Sequence, residues 1–255
     1  GSRPADAAQV GLALVSAGIE ILEVPLRGAD LVGALESVRA LVAAVGGRAM
    51  VGAGTVLRVE QVAEVAATGA QLIVSPNMDP AVIAATKAAG LLSLPGVFTP
   101  TEAFQAINAG ADALKWFPTD GMSPKSFKAM LAVLPSSVPV LAVGGVDVGN
   151  IACWRTAGAR GFGVGSAIWK PGLTAAQVEG KASVFVRACE VACGRAAPLA
   201  SKSADRGVEA ASLDSATFGR GVAFYAACIG GSLCGFLAVA RWSAFSSVLR
   251  PGSRR

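Results

Sequence analysis

The sequence predicts a (β/α)8 TIM barrel that lacks its first β-strand, and three observations carry that prediction. Short apolar runs alternate with amphipathic helical stretches from residue 7 to about residue 197. Seven strand-then-helix units recur within this body of about 200 residues, which calls for a parallel sheet and fits a barrel better than a doubly wound sheet. Several helical stretches also end in glycine, at Gly46, Gly69, Gly90, Gly110 and Gly158, where a left-handed C-cap is expected.

In chain order, the apolar runs cover 19–24, 49–52, 71–75, 91–94, 113–117, 138–143 and 161–164. The helical stretches between them cover 30–45, 58–68, 79–89, 100–109, 123–134 and 150–157, and a further helix over 175–197 closes the body. The chain opens directly in a helix, 5–17, so the count is one strand short. Either the strand that should precede this helix is lacking or something else fills the gap, because a seven-stranded parallel barrel would leave unpaired edges beside its own core.

Composition narrows the function classes. Of 255 residues, 53% are hydrophobic, which suits buried strands and excludes a disordered chain. The net charge of +5 is uneven, with 15 Lys and Arg against 14 Asp and Glu in residues 1–200, and 7 against 3 in residues 201–255. A near-neutral body presents no concentrated basic face, so nucleic acid is not an expected partner. Histidine is absent, which removes the commonest general base and metal ligand together. The five cysteines form no CxxC pair or zinc-like spacing, so no cysteine-held metal is expected and the thiols read as reduced, mostly buried and cytoplasmic. The start of the chain shows no secretory signal pattern.

Two regions follow: a barrel domain over 1–200 and a basic tail over 201–255. The tail begins with a small, polar linker over 201–215 and holds a 20-residue stretch without charge, 221–240, with Gly231 and Gly235 at GxxxG spacing. That length would span a bilayer, but its wealth of Gly, Ala, Ser and Cys makes insertion marginal. A docked or unstructured tail is the favoured reading and membrane contact through 221–240 the weaker one.

In a parallel barrel the C-terminal ends of the strands point into one pocket. Lys115 stands in the apolar run 111–118, where it must find a counter-charge or lose its proton. A neutral amine there is a nucleophile able to form an imine, while a structural ion pair or a lysine reaching back to solvent is the alternative. Glu23 stands in the first apolar run and could relay protons through water to the reacting carbon, or it could merely neutralise Lys115. Arg27, Thr55, Pro76 and Phe117 follow or end other strands. Gly144 and Gly145, then Gly165 and Ser166, make glycine-rich turns after the last two strands, positions whose backbone amides can hold a phosphate. Arg39, Glu60, Glu64, Lys87, Lys125 and Lys128 fall on helices and read as solvated faces.

Taken together, Leu22-Glu23-Val24-Pro25-Leu26-Arg27, Val51-Gly52-Ala53-Gly54-Thr55-Val56, Ile73-Val74-Ser75-Pro76-Asn77, Leu114-Lys115-Trp116-Phe117-Pro118 and Val143-Gly144-Gly145-Val146 resemble the KDPG/KDPGal aldolases over roughly residues 7–195. That family consists of class I, metal-independent (β/α)8 barrels. Pro25, the Ser75-Pro76-Asn77 triplet, the Leu114-Lys115 and Phe117-Pro118 pairs and the Val143 to Val146 turn are similar to its 6-phosphogalactonate branch, whereas Arg27 is similar to the gluconate branch. The resemblance implies a Schiff-base aldolase that cleaves 2-dehydro-3-deoxy-6-phosphogalactonate to pyruvate and glyceraldehyde 3-phosphate. The phosphogluconate epimer and an inactive barrel retaining a phosphate site are the alternatives. It assigns the imine to Lys115 and general acid/base work to Glu23, lines the pyruvyl end with Thr55, Pro76 and Phe117, makes Arg27 a carboxylate contact, and gives the phosphate to Gly144, Gly145, Gly165 and Ser166. It also implies a homo-oligomer, commonly a trimer. Two features depart from the family: its first strand, which carries an arginine near the substrate carboxylate in the galactonate branch, has no counterpart here, and residues 201–255 match nothing in it.

Overall fold

Parallel pairing is the rule throughout the structure, a computed structural model that describes residues 4–27, 30–196 and 223–225. The first half of the body runs α1 (Pro4–Ser16), β1 (Ile21–Pro25), α2 (Leu31–Val45), β2 (Met50–Gly54), α3 (Val59–Ala66), β3 (Leu72–Val74), α4 (Pro80–Ala88) and β4 (Leu92–Leu94). The second half runs β5 (Gly96–Val97), α5 (Pro100–Asn108), β6 (Leu114–Trp116), a 3-10 turn (Thr119–Gly121), α6 (Pro124–Leu131), β7 (Val140–Val143), α7 (Ile151–Thr156), β8 (Gly161–Gly163) and α8 (Ala175–Ala192). A last strand, β9 (Ala223–Tyr225), comes from the tail.

The strands form two ribbons, β1-β2-β3-β4 and β5-β6-β7-β8-β9. Only Pro95 separates β4 from β5, and proline has no amide hydrogen to give a ladder, so one strand is split where its pairing passes from β3 to β6. The seven predicted runs are therefore all present, in chain order around the sheet. No described residue precedes α1 as a strand, but β8 is not left as an edge. Its outer side pairs in parallel with β9, Gly161 opposite Ala223 and Gly163 opposite Tyr225. A buried edge needs a partner for its backbone groups, and here the tail provides it.

Local sequence sets the helix limits. Asp30, Asp79, Thr99, Ser123 and Thr174 each cap the helix that follows with a side-chain oxygen, and Glu102 reaches back to complete the box at α5. Gly46, Gly69, Gly90, Gly110 and Gly158 all adopt positive φ, as their places at helix ends require. The last helix ends at Ala192 rather than residue 197, because Gly194 turns left-handed just after it.

The core is one cluster shared by both ribbons and the helices around them. Its bulkiest part is Phe127, fully buried on α6, meeting Trp116 of β6 edge-on at 6.1 Å and Trp154 of α7 at 5.7 Å. Lys87 departs from its expected solvated face. Its ammonium bonds both Asp112 oxygens, at 2.6 and 2.8 Å, and Asp112 also accepts from the Ser93 amide at 2.8 Å, so α4 is tied to the loop before β6 and to β4. The thiols are less buried than expected: Cys189 is buried, Cys193 partly so and Cys153 exposed. Cys228 and Cys234 lie outside the described residues. So does the stretch 221–240 apart from β9, and among the described residues no helix is long and apolar enough to cross a membrane.

Truncating Phe127 to alanine should cost about 3–5 kcal/mol, since it empties a fully enclosed ring site between two indoles. Urea denaturation followed by tryptophan fluorescence measures this.

Candidate active site

Two charged side chains of opposite sign are held in the sheet interior. Glu23, at the centre of β1, is 3% exposed, and Lys115, at the centre of β6, is 6% exposed. Their strands supply almost nothing else polar, and burial pushes the Lys115 amine below its ordinary value. The negative charge of Glu23 pulls it part of the way back up, and the positive charge of Arg27 lowers it further. Both Glu23 and Arg27 therefore act electrostatically on Lys115. The Lys115 Nζ also lies 4.7 Å from the centre of the Phe117 ring, which shields that side of the amine from water.

Small residues make the space. In the β1–β2 register Glu23 stands opposite Gly52 and Pro25 opposite Gly54. The Glu23 carboxylate leans onto Gly54 so closely that a β-carbon there would fall 1.3 Å from Oε1. Gly54 is thus a seat for the acid, a role that the bare pattern Gly-Ala-Gly-Thr did not reveal. On the other side Gly96 pairs with Lys115, and a β-carbon at Gly96 would run into the Pro76 carbonyl, so the loop after β3 comes down against the strand beside the lysine.

Thr55 follows β2 with φ of +56°, the one non-glycine residue with positive φ among the described residues. A β-branched residue in that region is strained by about 1–3 kcal/mol. Its hydroxyl accepts a bond from Arg27 Nε at 3.3 Å, which turns the exposed guanidinium toward the mouth of β2. Pro76 and Phe117 are both half-buried at the ends of their strands.

The two glycine turns leave neighbouring strands at the same end, since Val143 of β7 pairs with Gly163 of β8. Gly144 and Gly145 have φ of +104° and +63°. A ring of polar groups unseen in the sequence reading fixes this turn. The buried Thr119 hydroxyl donates to the Gly144 carbonyl, Asn150 Nδ2 donates to the Gly145 carbonyl at 2.7 Å, and the Asp120 carboxylate rests against the bare face of Gly145. Thr119 and Asp120 act on this turn from about 25 residues away in the chain, so no local pattern marks them. Gly165 begins a single helical turn, its carbonyl accepting from the amides of Ile168 and Trp169 at 3.0 and 2.9 Å, and Ser166 is exposed beside it. Among the described residues no three Cys, Asp or Glu side chains gather as a metal site.

Known proteins are similar to most of the chain. Residues 2–180 match the family model described as KDPG and KHG aldolase. The 2-dehydro-3-deoxy-6-phosphogalactonate aldolase of Escherichia coli strain K12 is 44% identical over 181 residues, 71% of this chain and 86% of that protein. A probable 2-dehydro-3-deoxy-6-phosphogalactonate aldolase of Rhizobium meliloti strain 1021 is 40% identical over 194 residues, 76% of this chain and 90% of its own. Among solved structures, one described as "Native KDPGal structure" superposes with a TM-score of 0.72 at 41% identity, covering 76% of this chain and 93% of that one.

Two outcomes follow from the site geometry. Gly54→Ala should displace the Glu23 carboxylate and lower turnover by about a hundredfold, the scale of a lost general acid/base, while the fold persists by circular dichroism. The second concerns Lys115. In the unfolded chain the amine keeps its proton up to about its ordinary value of 10.5, whereas in the fold it gives the proton up at lower pH. Between the two values the unfolded state binds more protons, so folding stability rises with pH. Comparing Glu23→Gln with Glu23→Gln/Lys115→Met, so that no carboxylate is stranded, the double variant should be the more stable at neutral pH. The gap should close as pH approaches 10.5 in urea titrations.

Proposed function

This chain belongs to the KDPG and KHG aldolase family, and from that premise we propose that it cleaves 2-dehydro-3-deoxy-6-phosphogalactonate to pyruvate and glyceraldehyde 3-phosphate through a Schiff base on Lys115. The observation that carries the proposal is the burial of Lys115 in the field of Glu23, which weakens the amine's hold on its proton and supplies a carboxylate for proton transfer.

The neutral Nζ adds to the keto carbon of the substrate, and loss of water gives the imine. Glu23 takes the proton of the C4 hydroxyl through a water molecule as the C3–C4 bond breaks. The bonding electrons pass into the imine, now an enamine, and glyceraldehyde 3-phosphate leaves. Glu23 returns its proton to C3, and water hydrolyses the imine to free pyruvate and Lys115. The protonated imine is the electron sink, so neither a metal nor a cofactor takes part in this reading. Arg27 pairs with the substrate carboxylate, with Thr55 orienting it. Thr55, Pro76 and Phe117 enclose the pyruvyl end, and the turns at Gly144, Gly145, Gly165 and Ser166 receive the phosphate. We read the protein as cytoplasmic, its barrel domain as residues 1–200, and its assembly as a homo-oligomer, a trimer, for which the exposed apolar Phe98 and Phe104 give a surface to cover.

Borohydride reduction in the presence of pyruvate tests the chemistry. The expected product is a stable adduct on the Lys115 peptide, lost in Lys115→Met. Absence of that adduct from folded protein contradicts the mechanism. Assay of the two C4 epimers, with pyruvate release coupled to lactate dehydrogenase, should show faster cleavage of the galactonate form.

A further inference from the structure

The segment that carries Lys115 also holds the turn that follows β7. After β6 the chain passes Phe117 and Pro118 into the 3-10 turn Thr119–Gly121, and this stretch packs directly on Gly144. A β-carbon at Gly144 would come within 3.1 Å of the Thr119 nitrogen and 3.3 Å of the Pro118 Cα, so backbone lies on backbone there. Thr119 is 1% exposed, and its hydroxyl donates to the Gly144 carbonyl. Asp120 has the wrong sign for a phosphate contact, so its part is steric. A β-carbon at Gly145 would fall 1.6 Å from its Oδ1, and the carboxylate fills the space a side chain would take.

A trans peptide is planar, with C=O and N–H pointing in opposite directions, so fixing one aims the other. Thr119, on the Gly144 carbonyl, turns the Gly145 N–H away from the buried hydroxyl. Asn150, on the Gly145 carbonyl at 2.7 Å, does the same for the Val146 N–H. Both residues flanking the first of these peptides are glycines with positive φ, the residue type that resists its rotation least, so the hydroxyl is what sets its orientation. Among the described residues neither the Gly145 nor the Val146 amide has an acceptor. The amides just after them do: Asp147 donates to Asn150 Oδ1 at 3.0 Å, and Gly149 to Asp147 Oδ1 at 2.8 Å. Successive amides left open in a turn form a concavity for an anion.

We propose that Thr119 is a positioning residue for the phosphate of the substrate. Its hydroxyl orients the Gly144–Gly145 peptide so that the Gly145 amide meets the phosphate, and its place on the Lys115 segment fixes that amide relative to the imine. Both ends of the substrate are thus referred to one stretch of chain. The identity of the substrate rests on the aldolase reading, while the aiming of the amide at a phosphate does not.

Inorganic phosphate is the first probe. Added to the unchanged protein, it should shift the amide resonances of Gly145 and Val146 and raise Tm. Unshifted amides would overturn the proposal whether or not any variant folds. Thr119→Val keeps the shape and removes the hydroxyl, and losing that one hydrogen bond should raise the phosphate concentration for half the Tm shift about tenfold. With 2-dehydro-3-deoxy-6-phosphogalactonate the same variant should raise KM about tenfold while kcat changes much less, and Thr119→Ser should restore KM. Pyruvate, which carries no phosphate, should still be trapped on Lys115 by borohydride in Thr119→Val. An unchanged phosphate response and KM in the valine variant, or a loss that serine does not restore, would contradict the role assigned to Thr119. So would a folded valine variant that no longer forms the pyruvate adduct, since that would mark a general structural role. No adduct in the unchanged protein would refute the aldolase reaction, and the phosphate titrations would then decide on Thr119 alone.

Discussion

An amine enclosed by an apolar sheet is the constraint on which the rest of this structure depends. Holding Lys115 as a lone ammonium at 6% exposure would cost several kcal/mol, so the fold must either supply a counter-charge or accept a neutral lysine. It does something between the two. Glu23 offsets part of the desolvation, and Arg27 reverses part of that offset, which leaves the amine with a lowered hold on its proton. Burial and Arg27 weaken the amine's hold on its proton and Glu23 strengthens it, so Lys115 is held more weakly protonated than a surface lysine.

The glycines serve that constraint by steric absence more than by flexibility. Gly54 admits the Glu23 carboxylate, and Gly96 lets the Pro76 loop approach the strand paired with Lys115. Gly144 and Gly145 do need their left-handed backbone, and Thr119 and Asp120 from the segment after β6, with Asn150 from the turn's own loop, hold it in place. Thr55 is the counterexample: a residue that resists positive φ is kept there with its hydroxyl bonded to Arg27, so strain is retained where the substrate carboxylate is proposed to bind.

Much of this was legible in the sequence because its signals are local. Apolar runs mark strands, caps and glycines mark helix ends, and a charge inside an apolar run marks a buried charge, so β1 to β8 and the buried positions of Glu23 and Lys115 could all be placed. What escaped depends on contacts distant in sequence. Lys87 reads as a surface lysine until Asp112, 25 residues on, is brought beneath it. Thr119 acts on the carbonyl of Gly144, 25 residues further on, and no spacing rule connects them. The same holds for β9. Its three residues lie within an uncharged stretch read as a docked or unstructured tail, and the pairing with β8 depends on a strand about 60 residues earlier in the chain.

The most direct measurement of the central claim is titration of Lys115 itself, followed through its Cε resonance in protein labelled with carbon-13 lysine. A midpoint below 10.5 that falls further in Glu23→Gln and rises in Arg27→Leu is the result this account requires, since it names burial as the cause and the two neighbours as opposing influences. A Lys115 that titrates with the surface lysines and ignores both substitutions would contradict it.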